Sequence, residues 1–430
     1  MDKTDISHFR QELLDNLTDN ILPYWIEKMT DPRGGYYGRR DGVDNLVPDA
    51  PKGAILHARI LWTFSAAYNA IGNVAYLYAA KQALDFILAN FIDEIYGGAY
   101  WSVTSTGEPL DTKKQFYAIA FIIYGLSEYY IATGDEEILD LAYSLFESIE
   151  EHARDYDKDG YIEATTREWE PIEDMRLSER DANASKTMNT HLHILEGYTN
   201  LLRALKKSAS LQPTNTIDLE KEQRIKKVEE ATANLLKIFL HRIENPQTHH
   251  LTLFFNDDWQ KFDDAESYGH DIEASWLLLE SAEVLADEAL YAETLAHTEA
   301  IARAALKGRR EDGSMVYELH ADGHLDADRH WWVQAENVIG QLYLARFHSD
   351  PDTPEEQKWL ADAYQSWRYI ADNLIDPNGE WYWSRRVDGT INRDDDKAGF
   401  WKCPYHNSRM CLESTRILDK LSKGATLISK

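Results

Sequence analysis

The chain has 430 residues, 74 acidic and 45 basic, with a formal net charge of −29. That balance excludes most nucleic-acid readings, because no basic stripe is available to displace counterions from phosphate, and an anionic membrane surface repels it too. The mean hydropathy is −0.52, yet 12% of the residues are aromatic. Aromatic faces beside many carboxylates suit neutral polyols such as sugars.

Two cysteines, Cys403 and Cys411, are too few for a disulfide scaffold and fit a reducing compartment. The polar start of the chain has no apolar leader core. The expectation is a cytoplasmic monomer with one domain over residues 1–430.

A Gly-rich aromatic phrase recurs along the chain. It reads Gly34-Gly35-Tyr36-Tyr37, Gly97-Gly98-Ala99-Tyr100-Trp101, Gly160-Tyr161-Ile162, Gly313-Ser314-Met315-Val316-Tyr317 and Gly379-Glu380-Trp381-Tyr382-Trp383. Leu251-Thr252-Leu253-Phe254-Phe255 is a degenerate copy. Between phrases the apolar residues fall at i, i+3, i+4 and i+7, which predicts helical pairs. The pairs cover 54–71 with 74–91, 115–132 with 136–152, and 186–206 with 222–241. Two more cover 268–286 with 289–307 and 330–347 with 356–374. A first helix at 7–29 and a last at 405–422 bring the set to about twelve. Residues 207–224 are polar and aperiodic, and predict an inserted loop or an exposed helix extension.

The helix after each phrase is apolar on most faces, as in Phe116-Tyr117-Ala118-Ile119-Ala120-Phe121, whereas the next carries a charged stripe. An all-round apolar helix is a buried one. The pattern predicts an all-α fold, an (α/α)6 barrel with inner and outer helices. Short β-hairpin-like phrases would lie at one end, over the N-termini of the inner helices.

The first turns of the inner helices should then converge on the barrel mouth, where unpaired N–H groups favour negative charge. They carry Arg59, Tyr117, Asn189, His191, His193, His270, Glu273, Trp331, Trp332, Glu336 and His406, with Trp401 just before the last. Each has a plainer reading. A histidine in an apolar helix is often a satisfied core residue, His270 and Glu273 at i and i+3 can be a local pair, and Arg59 can serve a salt bridge. Of Trp331 and Trp332, which point in different directions, at most one is expected to stack on a ligand. His191-x-His193 has no metal-specific spacing, HExxH is absent, and no nucleotide motif appears. No metal and no cofactor are expected.

Five blocks nevertheless resemble the cellobiose 2-epimerases of the N-acylglucosamine 2-epimerase superfamily. They are Lys52-Gly53-Ala54 through Arg59-Ile60-Leu61-Trp62, Asn189-Thr190-His191-Leu192-His193, Gly269-His270-Asp271-Ile272-Glu273, His330-Trp331-Trp332-Val333-Gln334-Ala335-Glu336 and Trp401-Lys402-Cys403-Pro404-Tyr405-His406. The resemblance implies the same barrel and cofactor-independent epimerisation at C2 of the reducing-end sugar of β-1,4-linked disaccharides. It makes His270 and His406 an acid/base pair, and sets Arg59, Asn189 and His193 around that sugar. Glu273, Trp331, Trp332, Glu336 and Trp401 complete the pocket, and Tyr117, from its place in an inner-helix first turn, is a further candidate to touch substrate. His193 stands one turn from Asn189 on the same face, and His191 is the alternative. Rival readings are an inverting glycoside hydrolase, a sugar-binding protein without catalysis, and a monosaccharide aldose–ketose isomerase of the same superfamily.

Overall fold

The computed structural model describes residues 3–179, 181–211, 218–262, 264–349 and 353–422. Its helices are α1 (Lys3–Asp15), α2 (Leu22–Lys28), α3 (Ala54–Ile71), α4 (Val74–Phe86), α5 (Phe116–Thr133), α6 (Glu136–His152) and α7 (Met188–Ser210). They continue as α8 (Leu219–Ile238), α9 (Tyr268–Leu285), α10 (Glu288–Ala305), α11 (Trp331–Phe347), α12 (Pro354–Asn373) and α13 (Tyr405–Ser422). The odd-numbered helices from α3 to α13 form the inner ring, each packed on the next, and α13 returns to α3 to close it.

The turn chemistry explains the hairpins. Gly72 ends α3 at φ 79°, and Asn73 caps α4 by accepting the Ala75 N–H. Gly134 and Asp135 do the same between α5 and α6, at φ 73° and with the Glu137 N–H. A glycine in the left-handed region followed by a side-chain acceptor stops one helix and starts its partner.

Two expectations are adjusted. The single helix expected over 7–29 is α1 and α2 joined by a π-helical turn, Asn16–Ile21; Pro23 cannot donate to its i−4 carbonyl, and the register changes just before it. The insertion expected over 207–224 is helical at both ends, since α7 runs to Ser210 and α8 starts at Leu219 with Asp218 as its cap. Residues 212–217 within it lie outside the described residues.

Each two-residue strand before an inner helix pairs antiparallel with the next phrase. Lys52–Gly53 pairs with Ser102–Val103, Lys114–Gln115 with Ala164–Thr165, and Lys186–Thr187 with Phe254–Phe255. Glu266–Ser267 pairs with Glu318–Leu319, and Arg329–His330 with Ser384–Arg385.

Buried side chains lock each phrase to its helix. Tyr36 donates its N–H to His57 Nε2 at 3.2 Å while His57 Nδ1 meets the Gly53 carbonyl at 3.1 Å. His191 repeats this with Tyr161 at 2.9 Å and the Thr187 carbonyl at 2.6 Å. Asp271 and Gln334 hold the N–H groups of Leu251 and Met315 in the same way. Lys52, Lys114 and Lys186 reach back to Asp31, Asp93 and Asp155 at 2.8, 2.8 and 2.7 Å. Helix α5 is apolar and long enough to cross a membrane, but 78% of that stretch is buried inside the fold, so the inner ring accounts for its composition.

Candidate active site

A cavity of about 520 Å³ opens where the inner helices begin. Arg59, Tyr117, Asn189, His193, His270, Glu273, Trp331, Trp332, Trp401 and His406 all line it. All six inner helices, with the segment before α13 that carries Trp401, thus bring together residues up to 347 positions apart. Glu336, expected in the pocket wall, is instead fully buried behind His406 and does not line the cavity. The reason is its bonding: His406 Nδ1–H, Trp276 Nε1–H and Arg409 Nη2–H all converge on its carboxylate at 2.7, 2.9 and 2.7 Å.

His191 and His193 separate cleanly. Both ring nitrogens of His191 are occupied by backbone groups, on the side of α7 that faces the phrase. His193 turns the other way, its Nδ1–H donating to Glu196 Oε2 at 2.8 Å and its ring 5.0 Å from that of Tyr117. No described residue engages its Nε2. Of the two bonds that fix His191, the one to Thr187 is local, four residues back, but the one from Tyr161 spans thirty residues and nothing in the local spacing announces it.

On the other wall, His270 Nδ1 meets Ser267 Oγ at 2.8 Å. Its ring lies 4.8 Å from that of Trp332, and the His406 ring lies 5.6 Å from the same indole. Both imidazoles therefore contact the Trp332 indole, whereas Trp331 packs on Trp383 with centroids 4.6 Å apart. Both tryptophans line the cavity. Trp401 stands over Tyr117 and Trp101, at 6.2 and 6.0 Å.

Arg59 is one of three cationic side chains in the cavity wall, with Arg39 and Lys402. It is 3% exposed, its Nη2 donates to the Tyr117 hydroxyl at 2.8 Å, and its guanidinium lies 4.2 Å from the Phe121 ring and 4.8 Å from that of Tyr405. Asn189 adds a buried Oδ1 with no hydrogen-bond partner, a polar atom awaiting a donor.

Burial sets the protonation states. It pushes the His270 imidazole down to about 3, with the charge of His193 adding to the effect. It also holds His406 well below the ordinary imidazole range, helped by Arg409 and Arg59. Both rings are neutral near pH 7. Burial and the neighbouring Glu336 push the Glu273 carboxyl up to about 7, against the pull of Arg409.

Sequence reading missed the layer beneath: Glu196, Ser267, Trp276, Tyr405 and Arg409. A signal existed for two of them, because Glu196 lies three residues after His193 and Arg409 three after His406, each on its histidine's helix face. Glu273, Glu336 and His406 place one ligand atom each within 4.8 Å of one another, a spacing that could hold a metal ion. Here the Arg409 guanidinium occupies that role, donating to both carboxylates.

A family model described as N-acylglucosamine 2-epimerase (GlcNAc 2-epimerase) matches residues 35–196 and 216–409. A curated cellobiose 2-epimerase of Bacteroides fragilis is 51% identical over 94% of this chain and 98% of its own length. One from Ruminococcus albus is 39% identical over 95% and 97%. The solved structure of the cellobiose 2-epimerase of Bacillus thermoamylovorans superimposes with a TM-score of 0.85 at 37% identity, covering 95% of this chain and 99% of that one. That neighbour shares the barrel described above.

Proposed function

Because the chain belongs to the N-acylglucosamine 2-epimerase family, we propose that it inverts C2 of the reducing-end sugar of β-1,4-linked disaccharides such as cellobiose, without a cofactor. The observation that carries this reading is the pair of neutral imidazoles, His270 and His406, both against Trp332 in one cavity with Arg59.

Inversion at C2 requires ring opening, removal of the C2 proton next to the exposed carbonyl, and reprotonation from the opposite face of the planar enediolate. A neutral imidazole is a competent base for the carbon acid. His406 keeps its Nδ1–H on Glu336, so Nε2 is the base, and the imidazolium formed is balanced directly by that carboxylate. His270 serves the other face. Charge gathering on O1 and O2 is met by Arg59, which is always protonated and sits where water is scarce. His193, its tautomer fixed by Glu196, assists ring opening. Trp401 and the wider mouth supply an apolar surface for the second sugar ring.

An inverting hydrolase fits less well. Its two carboxyl groups stand roughly 6.5–9.5 Å apart to admit water, whereas Glu273 and Glu336 bring oxygens within 4.8 Å and share one guanidinium.

The two buried thiols, Cys403 and Cys411, are unpaired, in keeping with a reducing compartment. Incubation with cellobiose in heavy water tests the whole reading. Glucosyl-mannose carrying deuterium at C2 is expected; glucose release, or unlabelled cellobiose alone, would overturn it.

A further inference from the structure

Beneath the cavity floor lies a charge arrangement of which the reaction above uses only Glu196 and Glu336, each with its own histidine. Arg409, on α13 one turn from His406, is 1% exposed. Its guanidinium binds carboxylates from three inner helices. Nη1 donates to Glu196 Oε1 at 2.5 Å, and Nη2 donates to Glu273 Oε1 at 2.6 Å and Glu336 Oε1 at 2.7 Å. The Tyr405 hydroxyl closes the Glu196 side by contacting both that carboxylate and the guanidinium. The rings of Trp276 and Tyr405 lie 4.7 and 4.2 Å from the guanidinium carbon.

The two outer carboxylates are the ones that hold the histidines. Glu196 takes the Nδ1–H of His193 at 2.8 Å, and Glu336 takes that of His406 at 2.7 Å. A continuous path therefore runs His193–Glu196–Arg409–Glu336–His406, with every link between 2.5 and 2.8 Å. Taking one cation and three carboxylates out of water is costly, and an apolar plug would stabilise a barrel floor at least as well. Stability alone does not account for it.

We propose that Arg409 is a positioning residue that yokes His193 to His406 through Glu196 and Glu336, fixing both Nε2 atoms in the cavity and making a change of charge at one histidine felt at the other. The assignment of chemistry to the two histidines rests on the epimerase reading; the coupling rests on the bonds alone. The groups facing this path are Glu273 from α9, Arg59 from α3, Tyr117 and Tyr124 from α5, His270 from α9, and Tyr405 and Glu413 from α13. Removing the charge of Glu196 leaves less negative potential to support an imidazolium at His406, and the low-dielectric floor transmits the change.

Glu196→Gln is close to isosteric and does not touch His406. It should move the acid limb of C2 deuterium exchange to lower pH by about half a unit or more, with KM altered less than about threefold. Arg409→Lys, which keeps the charge but cannot fork between carboxylates, should lower kcat at least about tenfold with KM little changed. Superimposable pH profiles for Glu196→Gln and the unaltered protein would overturn the proposal. Failure of the unaltered protein to exchange C2 hydrogen on any disaccharide would instead sink the epimerase reading. In that case ring-nitrogen spectra of 15N-histidine-labelled protein decide. Glu196→Gln should displace the signals of His406, identified by their loss in His406→Asn, as well as those of His193. An unmoved His406 would end the proposal, and if Glu196→Gln does not fold, Arg409→Lys gives the same comparison.

Discussion

His406 donates its Nδ1–H to Glu336 Oε1 at 2.7 Å, and that carboxylate lies wholly behind the ring, out of the cavity. The bond fixes both the tautomer and the tilt of the imidazole, leaving Nε2 as the basic atom. A carboxylate so placed also balances the imidazolium that forms when the ring takes a proton. Glu336→Gln preserves the shape but removes the charge and can present its amide N–H to Nδ1. It should lower kcat for epimerisation by roughly 10²-fold with little change in KM, and His406→Asn should lower it further. Steady-state assays on cellobiose check this; full activity in His406→Asn would remove that residue from the reaction.

The two neighbouring histidines on α7 should fail in opposite ways. His191 ties the Tyr161 N–H to the Thr187 carbonyl, so His191→Ala leaves a buried donor and a buried void. A loss of about 2–4 kcal/mol is expected, read as a fall in Tm with kcat largely kept below the new Tm. His193→Ala also empties a buried site, but its larger effect should be on turnover, because its Nε2 is engaged by no described residue. The reverse pattern would exchange their assignments.

Acid should act on the fold through buried histidines that the reaction does not titrate in the same window. Burial holds His57 at about 3, His191 at about 4 and His270 at about 3, with the charge of Lys52 lowering His57 further. The unfolded chain takes up these protons near pH 6.5 and the folded one does not. Stability is therefore complete above pH 6.5 and falls as the pH drops from there toward 3. His270 and His406 stay unprotonated over the same window, so neither should contribute a limb to kcat/KM near 6.5, and a limb near 7 would belong to Glu273. Melting and kcat/KM measured from pH 8 to 5 check both statements. A constant Tm over that range, or a limb near 6.5 that persists in Glu273→Gln and disappears in a His270 or His406 variant, would contradict the buried neutral state.

Much of this arrangement is legible in the amino-acid sequence. The glycine phrases announce the repeat because a left-handed residue is needed at every turn, and the all-round apolar helices announce the inner ring. The cavity residues follow, since the first turn of each inner helix must face the mouth. What stays hidden depends on pairing across the chain. His191 and His193 differ only in what lies beyond the helix, Glu336 reads as a pocket wall until its three donors are known, and Lys52 finds Asp31 only after the strands pair. Arg409 shares a helix face with His406, but an isolated arginine in a sequence gives no hint that three carboxylates converge on it.

A glycine of the phrases set against one of the hairpin glycines offers the sharpest test of this packing. Gly160 and Gly134 both adopt positive φ, at 87° and 73°, so a side chain is strained at either by about 1 kcal/mol. Their surroundings differ. A Cβ at Gly134 would meet nothing within 4 Å, whereas at Gly160 it would come within 2.4 Å of the Trp259 ring and 2.9 Å of His191 Nε2. The Trp259 indole cannot swing away freely, because its Nε1–H donates to the Lys158 carbonyl at 3.0 Å. His191 cannot either, being held at both nitrogens. Gly134→Ala should cost about 1 kcal/mol and Gly160→Ala at least about 3 kcal/mol, as strain and overpacking add. Denaturant unfolding of the two variants measures the difference. Equal losses would mean that the phrase does not press on α7 as closely as described, and His191 would lose its place as the pin between them.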